Sequence, residues 1–383
     1  MVDIFNHLDY NNDCSVDDWN SLTREIFFKY FSSENNYLRN KELLRTELMN
    51  YVMLYPNEDY IKMLNAIHEV FESIIFLEKE KSFEILFDNF KKISDTNDRY
   101  ISYCISQSDI NNYTKKDLAI YYFRAIDEIV EGCFEPRFRL FYQFHTNKLF
   151  ENLGNKSLGN LVNDKEFRNF DLLIKDPIVG IHINQWRNIA AHKDFEISKD
   201  NIKVIYGSKR DKVKIMSHEE LKQITFWVRD AYGALRLAEV LIYLNYMQEI
   251  KSFAEDKNID FYLRSETYLL HLIHNLQIVG FKYASFVEND TTFELNLFIK
   301  NNNDVKESII HATQVFSRIA RALDDDEFQK DKFTDIQINI LNKEKEVVAN
   351  AIVDIRSCLD FSNYKLNQEE LINQINFNIN EYK

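Results

Sequence analysis

One short segment of the sequence, HINQWRNIAAHKDFEI at residues 182–197, carries the side chains best suited to chemistry. Arg187 and Asn188 are adjacent in it, and His192 follows four residues after the asparagine. On a helix, Gln185, Asn188 and His192 share one stripe because they are three and four residues apart. Arg187 is offset from this stripe by about one hundred degrees, and its long side chain can lean toward it. The segment therefore presents an amide, a guanidinium and an imidazole together.

The opposite side of the same helix is apolar. Ile183, Trp186 and Ala190 are also spaced by three and four residues and are expected to pack inward. The alternation predicts that Arg187 and His192 are accessible from solvent while Trp186 is buried beneath them.

These groups suit the cleavage of an RNA phosphodiester by its own 2′-hydroxyl. The hydroxyl must lose a proton as it attacks, and the 5′-oxygen must gain one as it leaves. A histidine, with an ordinary pKa of about 6.5, can serve in either role near neutral pH. Arginine presents a fixed fork of donors to the phosphoryl oxygens, on which charge accumulates. The reaction needs no metal and no cofactor, because the nucleophile is part of the substrate.

The block Arg187-Asn188-Ile189-Ala190-Ala191-His192 resembles the R-x4-6-H motif of the HEPN (higher eukaryotes and prokaryotes nucleotide-binding) superfamily. The resemblance covers roughly residues 114–250, where helices precede the motif and a long helix follows it. It implies an all-helical fold and a metal-independent endoribonuclease, with Arg187, Asn188 and His192 as catalytic residues. It also implies a homodimer in which two motifs face one basic cleft. By analogy, the protein is expected to be a regulated toxin or an antiviral effector of the abortive-infection type.

Two other interpretations of the motif remain open. The first is a catalytically inactive HEPN-like module that binds a nucleotide or a protein, and the second is a structural helix with a chance motif. A second pair, Arg264 and His271, has six residues between its members, which is within the family's spacing range, but no asparagine follows the arginine. His271 lies in an apolar helical pattern, which favours a structural histidine there.

Basic residues are concentrated just after the motif. Between Arg187 and Met216 there are eight lysines or arginines against four acids, although the whole chain has a net charge of −14. This segment is either a solvated turn or an arm that contacts phosphates beside the helix. In the second interpretation the substrate-binding residues are Gln185, Lys193, Lys209, Arg210 and Lys212.

Three acids on an earlier helix, Asp127, Glu128 and Glu131, are a further candidate element of the site. They line the cleft from the other side or form an ordinary solvated face.

The composition predicts a mainly α protein of more than one domain. The 383 residues include only seven glycines and three prolines, the main breakers of regular structure. We expect a helical N-terminal region (1–110), a HEPN-like bundle with an inserted β-hairpin (111–250) and a small α+β domain (251–383).

Local signals add detail to this division. Asp176-Pro177 is typical of a helix start, so the motif helix is expected to begin there. The segments NIKVIYG and KVKIM predict a hairpin at 201–216, and Ser217 with Glu220 forms a capping box before a long helix. The C-terminal pattern is strand–strand–helix–strand–strand, closed by a helix in QEELINQINFNINEYK.

The charge and cysteine content limit the classes of function. A strongly acidic chain is not a general nucleic-acid coat protein, so RNA contact must be local. The four cysteines are far apart and form no C-x-x-C pair. We therefore expect reduced cysteines and no cysteine-based zinc site. No secretory signal or membrane-spanning run is evident, so we expect a cytoplasmic protein without membrane contact. Regulatory partners or ligands are expected at the flanking regions.

Overall fold

A computed structural model gives the architecture of the chain. It describes residues 16–105, 113–149, 153, 156–257, 269, 272–273, 276, 280–299, 304–324, 331–363 and 365–379. The chain divides into two compact units. The first comprises residues 1–100 and 108–261, and the second comprises residues 101–107 and 262–383.

The first unit is mostly helical, as the composition predicts. A π-helical segment, Glu128–Phe134, interrupts the helices between α5 and α6. The helices are α1 (Val16–Phe27), α2 (Glu34–Leu54), α3 (Glu58–Leu77), α4 (Lys79–Ile105), α5 (Lys115–Asp127), α6 (Glu135–His145), α7 (Leu158–Val162), α8 (Asp171–Ile174), α9 (Ile183–His192) and α10 (His218–Asp256). A small antiparallel sheet lies between α9 and α10 and comprises β1 (Phe195–Ile197), β2 (Ile202–Tyr206) and β3 (Lys212–Met216).

Helix α10 is the central element of this unit. Its 39 residues begin at the predicted capping box, in which Ser217 and Glu220 satisfy each other's backbone N–H groups. Helices α2, α3 and α5 all pack against it, and apolar side chains such as Leu235 and Leu241 are fully buried. A helix that is apolar on several faces in this way has to be enclosed by other helices.

A buried polar network crosses the predicted boundary at residue 110. Arg236 of α10 donates two hydrogen bonds, of 2.7 and 2.8 Å, to the carboxylate of Glu47 on α2. Arg137 of α6 donates to Glu239 at 2.7 Å and to Asn97 of α4 at 2.6 Å. The structure therefore does not separate the expected N-terminal region from the expected HEPN-like domain, because both contribute to one core.

The second unit is the α+β part of the chain. Its strands are β4 (Phe281–Glu288), β5 (Thr292–Ile299), β6 (Asp335–Leu341), β7 (Val347–Asp354) and β8 (Asn376–Ile379), and its helices are α11 (Val305–Ala312), α12 (Phe316–Asp324), α13 (Ile355–Ser362) and α14 (Gln368–Ile372). The sheet order is β4-β5-β6-β7-β8, and only β5 and β6 are parallel. The predicted strand–strand–helix–strand–strand pattern is thus confirmed.

The C-terminal segment differs from its prediction. Of its residues up to 379, which the structure describes, only Gln368–Ile372 is helical, and Asn376–Ile379 instead pairs with β7 as a fifth strand. The cause is a contact with a distant part of the chain. The edge of β7 offers backbone N–H and C=O groups, and an extended segment can pair with them whereas a helix cannot.

The two faces of this sheet have different chemistry. One face is apolar and includes Leu295, Ile338 and Ala351, which lie in register and are all buried. The other face carries a row of polar side chains, one from each strand, at matched register positions. The row consists of Ser285, Asn296, Asn339, Asn350 and Asn378.

Among the residues that the structure describes, no helix carries an apolar run long enough to cross a membrane.

Candidate active site

The motif helix α9 is anchored by a buried carboxylate. Asp176 accepts hydrogen bonds from the four successive backbone N–H groups of residues 178–181, at 2.6 to 3.2 Å. It also accepts one of 2.8 Å from the indole Nε1 of Trp186 on α9. Both residues are almost fully buried. This carboxylate therefore connects the turn before the helix to the inner face of the helix.

The predicted start of the motif helix at Asp176-Pro177 is wrong. The chain makes a tight turn there, in which Gly180 has a φ of +76°, and the helix begins only at Ile183. A left-handed residue cannot continue a right-handed helix, and the Asp176 side chain caps the turn instead of a helix.

Burial along α9 follows the predicted alternation at Ile183 and Trp186 but not at Ala190, which is only half-buried. Ile183, Trp186 and Ile189 are buried, His192 is exposed, and the side chain of Arg187 is 26% exposed. Asn188 is half-buried. The prediction that Arg187 and His192 are accessible above a buried Trp186 is confirmed.

The helix ends immediately after the motif histidine. Lys193 adopts a left-handed conformation with φ of 57°, and the N–H of Asp194 returns to the carbonyl of Ile189 at 3.0 Å. This is the usual way in which a chain leaves an α-helix, although glycine is the common residue at that position. Lys193 is exposed beside His192 as a result.

Carboxylates from a neighbouring element face Arg187. Its Nη1 lies 3.4 Å from Oε2 of Glu131, and its Nη2 lies 3.9 Å from Oε2 of Glu135. The two acids differ in freedom, because Glu131 is exposed whereas Glu135 is held by Arg139 through hydrogen bonds of 3.0 and 2.6 Å. One partner of Arg187 can therefore move easily and the other cannot.

The carboxylate of Asp127 interacts electrostatically with both motif residues, Arg187 and His192. Burial, together with the carboxylates of Glu131 and Glu128, raises the pKa of Asp127, while Arg187 and His192 act in the opposite direction. Its Oδ1 is buried, and no described residue hydrogen bonds to it. Arg187 and His192 thus both favour the charged form of the Asp127 carboxylate.

Glu131 lies in the π-helical segment, and Asp127 and Glu135 flank it. Within Glu128–Phe134 the backbone follows the i→i+5 pattern, and the N–H of Glu135 still bonds to the carbonyl of Val130. Such π turns are rare and often occur at functional sites. Asp127 and Glu131 thus lie beside the motif helix rather than on a remote solvated face, whereas Glu128 is exposed. That these acids line a cleft remains a prediction.

The predicted hairpin is present and lies along the motif helix. The backbone N–H of Gly207 at its tip donates to Oε1 of Gln185 at 2.9 Å. Because this amide oxygen holds the hairpin, Gln185 has a structural contact in addition to its predicted contact with substrate. Nε of Arg210 lies 3.2 Å from the carboxylate of Asp194, just beyond the end of α9.

The predicted substrate-binding residues Lys209 and Lys212 occupy the same hairpin. Lys212 lies over the ring of Tyr206, with its Nζ 5.9 Å from the ring centroid. Lys209 is exposed in the turn between β2 and β3. The structure therefore places Lys209, Arg210 and Lys212 together at the hairpin tip, beside the motif helix.

Strand β1 and its packing are not predicted by the sequence pattern. Phe195 stacks face to face on Phe123 of α5, with ring centroids 3.9 Å apart and the ring planes 6° from parallel. This contact joins the end of the motif helix to the helix that leads into Asp127. Phe195 is an aromatic residue three positions after His192, but nothing in the sequence identifies its partner.

Three further observations bear on the site. In the described part of the chain, no group of three or more His, Cys, Asp or Glu side chains is arranged to hold a metal ion. The second candidate pair, Arg264 and His271, lies outside the described residues. No family model, curated protein or solved structure matches the chain. The chemistry of the site has to be inferred from its own geometry.

Proposed function

We propose that the protein is a metal-independent endoribonuclease of the HEPN type. The observation that carries this proposal is the placement of Arg187 and His192 on the accessible side of one short helix, which Trp186 anchors to Asp176. An exposed histidine and a partly exposed arginine are the groups that the reaction needs, and one anchored helix carries both before substrate binds.

The proposed step is an internal transfer. An unprotonated His192 takes the proton of the RNA 2′-hydroxyl while the 2′-oxygen forms its bond to phosphorus. The bond from phosphorus to the 5′-oxygen breaks, and that oxygen receives a proton from a second, protonated histidine. The products are a 2′,3′-cyclic phosphate and a 5′-hydroxyl. Arg187 stabilises the charge on the phosphoryl oxygens, and Asn188 orients the phosphate or the catalytic side chains.

A homodimer would provide the second histidine. Each chain has one motif, and the reaction uses one base and one acid, so two copies of α9 facing a common cleft complete the site. The basic hairpin residues Lys209, Arg210 and Lys212 would then hold the RNA backbone at the edge of the cleft. Light scattering should give twice the chain mass at micromolar concentration, and a monomer with full activity would contradict this arrangement.

The experiment that tests the proposal is RNA cleavage in EDTA. The wild-type protein should cleave single-stranded or loop RNA and leave 2′,3′-cyclic phosphate ends. His192→Ala should reduce the rate on the order of a hundred- to ten-thousand-fold. Arg187→Ala and Arg187→Lys should both lose RNA cleavage. The lysine variant fails because an ammonium group cannot reproduce the two-pronged contact of the guanidinium.

Matched controls are available in the same unit. His218→Ala removes a histidine whose Nε2 contacts the backbone oxygen of Ser198, at 3.1 Å, and Arg124→Ala removes an exposed arginine of α5. Both should cleave RNA at the wild-type rate. Cleavage that requires magnesium, or that survives both motif substitutions, would refute the proposal.

A second candidate is an inactive HEPN-like module that binds a nucleotide or a protein. The carboxylates of Glu131, Glu135 and Asp127 around Arg187 favour it, because they lower the positive potential at the place where a phosphate would bind. Arg187-dependent binding of RNA without any cleavage would select this alternative.

By analogy with the superfamily we also propose a role as a toxin or an antiviral effector. Induced expression of the wild-type protein in a bacterial host should then arrest growth, whereas expression of His192→Ala at the same level should not. Equal growth of the two cultures would remove this part of the proposal.

A further inference from the structure

The surroundings of Arg187 include two carboxylates that the proposed reaction does not use. A guanidinium that is to bind a phosphate already faces these acids, at 3.4 and 3.9 Å. Glu135 is held in place by Arg139, which binds its Oε1. Arg139 is itself fixed, because it also donates to the backbone oxygens of Leu153 and Lys156 at 2.8 Å. Glu131 has no comparable support among the described residues, and 60% of its side chain is exposed.

The backbone that carries Glu131 explains why it reaches Arg187. Asp127, Glu131 and Glu135 are spaced by four residues across the π-helical segment. Residues four apart lie on nearly the same side of a helix, so the three acids follow one side of this segment. The contacts of Glu131 and Glu135 with one arginine show that both acids point toward α9.

We infer that Glu131 is an autoinhibitory gate, in which its carboxylate occupies Arg187 in place of a substrate phosphate and is displaced when RNA binds. The inference rests on the proposed function, since it assigns Arg187 to the phosphate. An exposed ion pair of this kind contributes only weakly, because solvent screens it. The gate therefore lowers affinity for RNA by a modest factor and does not close the site permanently.

The same arrangement limits the class of ligand that opens the gate. A phosphate can replace the carboxylate of Glu131 because it also offers the guanidinium a pair of charged acceptor oxygens. A neutral nucleoside offers Arg187 no such exchange. The ligand is therefore expected to be a phosphodiester or another phosphorylated group rather than a base alone.

The test uses the full-length protein and a 2′-O-methyl RNA oligonucleotide, which binds but cannot undergo internal attack. Fluorescence anisotropy at low salt should give a Kd for Glu131→Gln that is roughly two- to fivefold lower than the wild-type value. The gain should disappear in the double variant Glu131→Gln/Arg187→Ala when it is compared with Arg187→Ala alone. That coupling shows that Glu131 acts through Arg187 and not through the general charge of the surface.

Glu196→Gln is the matched control. Glu196 is also an exposed glutamate of the same unit, paired with Lys203 at 3.0 Å, and its substitution removes the same charge. It should change the Kd by less than half as much as Glu131→Gln. An equal gain from both variants, or a gain from Glu131→Gln that persists without Arg187, would overturn the gate.

Parallel cleavage of unmodified RNA separates this inference from the proposed function. If no variant cleaves RNA but the coupling between Glu131 and Arg187 is present, the gate stands and the ribonuclease proposal falls. If the wild-type protein cleaves RNA but Glu131→Gln does not raise affinity, the gate falls and the ribonuclease proposal stands.

Discussion

The indole of Trp186 donates a hydrogen bond of 2.8 Å to the carboxylate of Asp176, ten residues earlier in the chain. The same carboxylate binds the backbone of the intervening turn. The position of the accessible motif residues on α9 is therefore set from below by a buried acid that takes no part in the proposed chemistry.

Asp176→Asn should destabilise the protein and disturb the site together. The amide NH2 would face groups that are themselves N–H donors, so at least one buried hydrogen bond to a charged acceptor is lost. We expect the free energy of unfolding in urea to fall by about 2–4 kcal/mol and RNA cleavage to fall while His192 is intact. Asp171→Asn, at an exposed position of α8, is the control and should change neither quantity.

Lys193→Gly should stabilise the protein. Lys193 holds a left-handed conformation that glycine adopts without steric cost, so we expect a gain of up to about 1 kcal/mol in the free energy of unfolding. The same change removes a positive charge beside His192 and should weaken RNA binding. Lys199→Gly also removes an exposed lysine, but its backbone φ is not positive, and a similar gain there would contradict the explanation.

Glu47→Gln should be among the most destabilising single changes in the first unit. Arg236 and Glu47 are both buried and form a two-pronged contact, and removal of one charge leaves the other uncompensated. Such a change costs roughly 3–5 kcal/mol. The double variant Glu47→Leu/Arg236→Met should be less destabilised than Glu47→Gln, because no lone charge remains buried. If each single change costs under about 1 kcal/mol in denaturant titrations, the pair does not hold α2 to α10.

Stability should fall on mild acidification because of His68. Burial lowers the pKa of His68 to about 4, and Lys29 acts in the same direction. The nearest carboxylate oxygen, Oε1 of Glu72, is 3.7 Å away, and that side chain accepts hydrogen bonds from Tyr246 and Asn245 instead.

The sign follows from proton linkage. The unfolded chain binds a proton near pH 6.5 and the folded chain only near pH 4, so the stabilisation is complete above pH 6.5 and is lost as the pH falls toward 4. Between pH 7 and pH 5 the loss from this group is roughly 2 kcal/mol. In His68→Gln the difference between denaturation at pH 7 and at pH 5 should shrink by about that amount, whereas His218→Gln should leave it unchanged.

Local features of the fold could be predicted from the sequence, and contacts between distant segments could not. The hairpin around Ile202–Met216, the capping box at Ser217 and the inward position of Trp186 follow from patterns within a few residues. The pair of Arg236 and Glu47 joins positions 189 residues apart, and neither neighbourhood identifies the other.

The same division applies to the candidate site. Arg187 and His192 are recognisable because their spacing is that of one helix face. Asp-Pro commonly starts helices, so the sequence predicts a helix cap at Asp176, and only the fold shows that its carboxylate is buried under Trp186. The π-helical segment has no sequence signature of its own, so the sequence leaves open whether Glu131 faces Arg187 or solvent alone.

The polar row across the second unit has a consequence for how that sheet assembles. Asn339 donates to Asn296 at 2.9 Å, and Asn296 donates to Ser285 at 3.1 Å, so β4, β5 and β6 contact each other through side chains as well as backbone. A strand that paired one residue out of step would turn its asparagine into the apolar layer of Leu295 and Ile338. A misaligned pairing would bury an amide without hydrogen-bond partners, which is unfavourable. The polar row therefore favours a single alignment of the strands during folding.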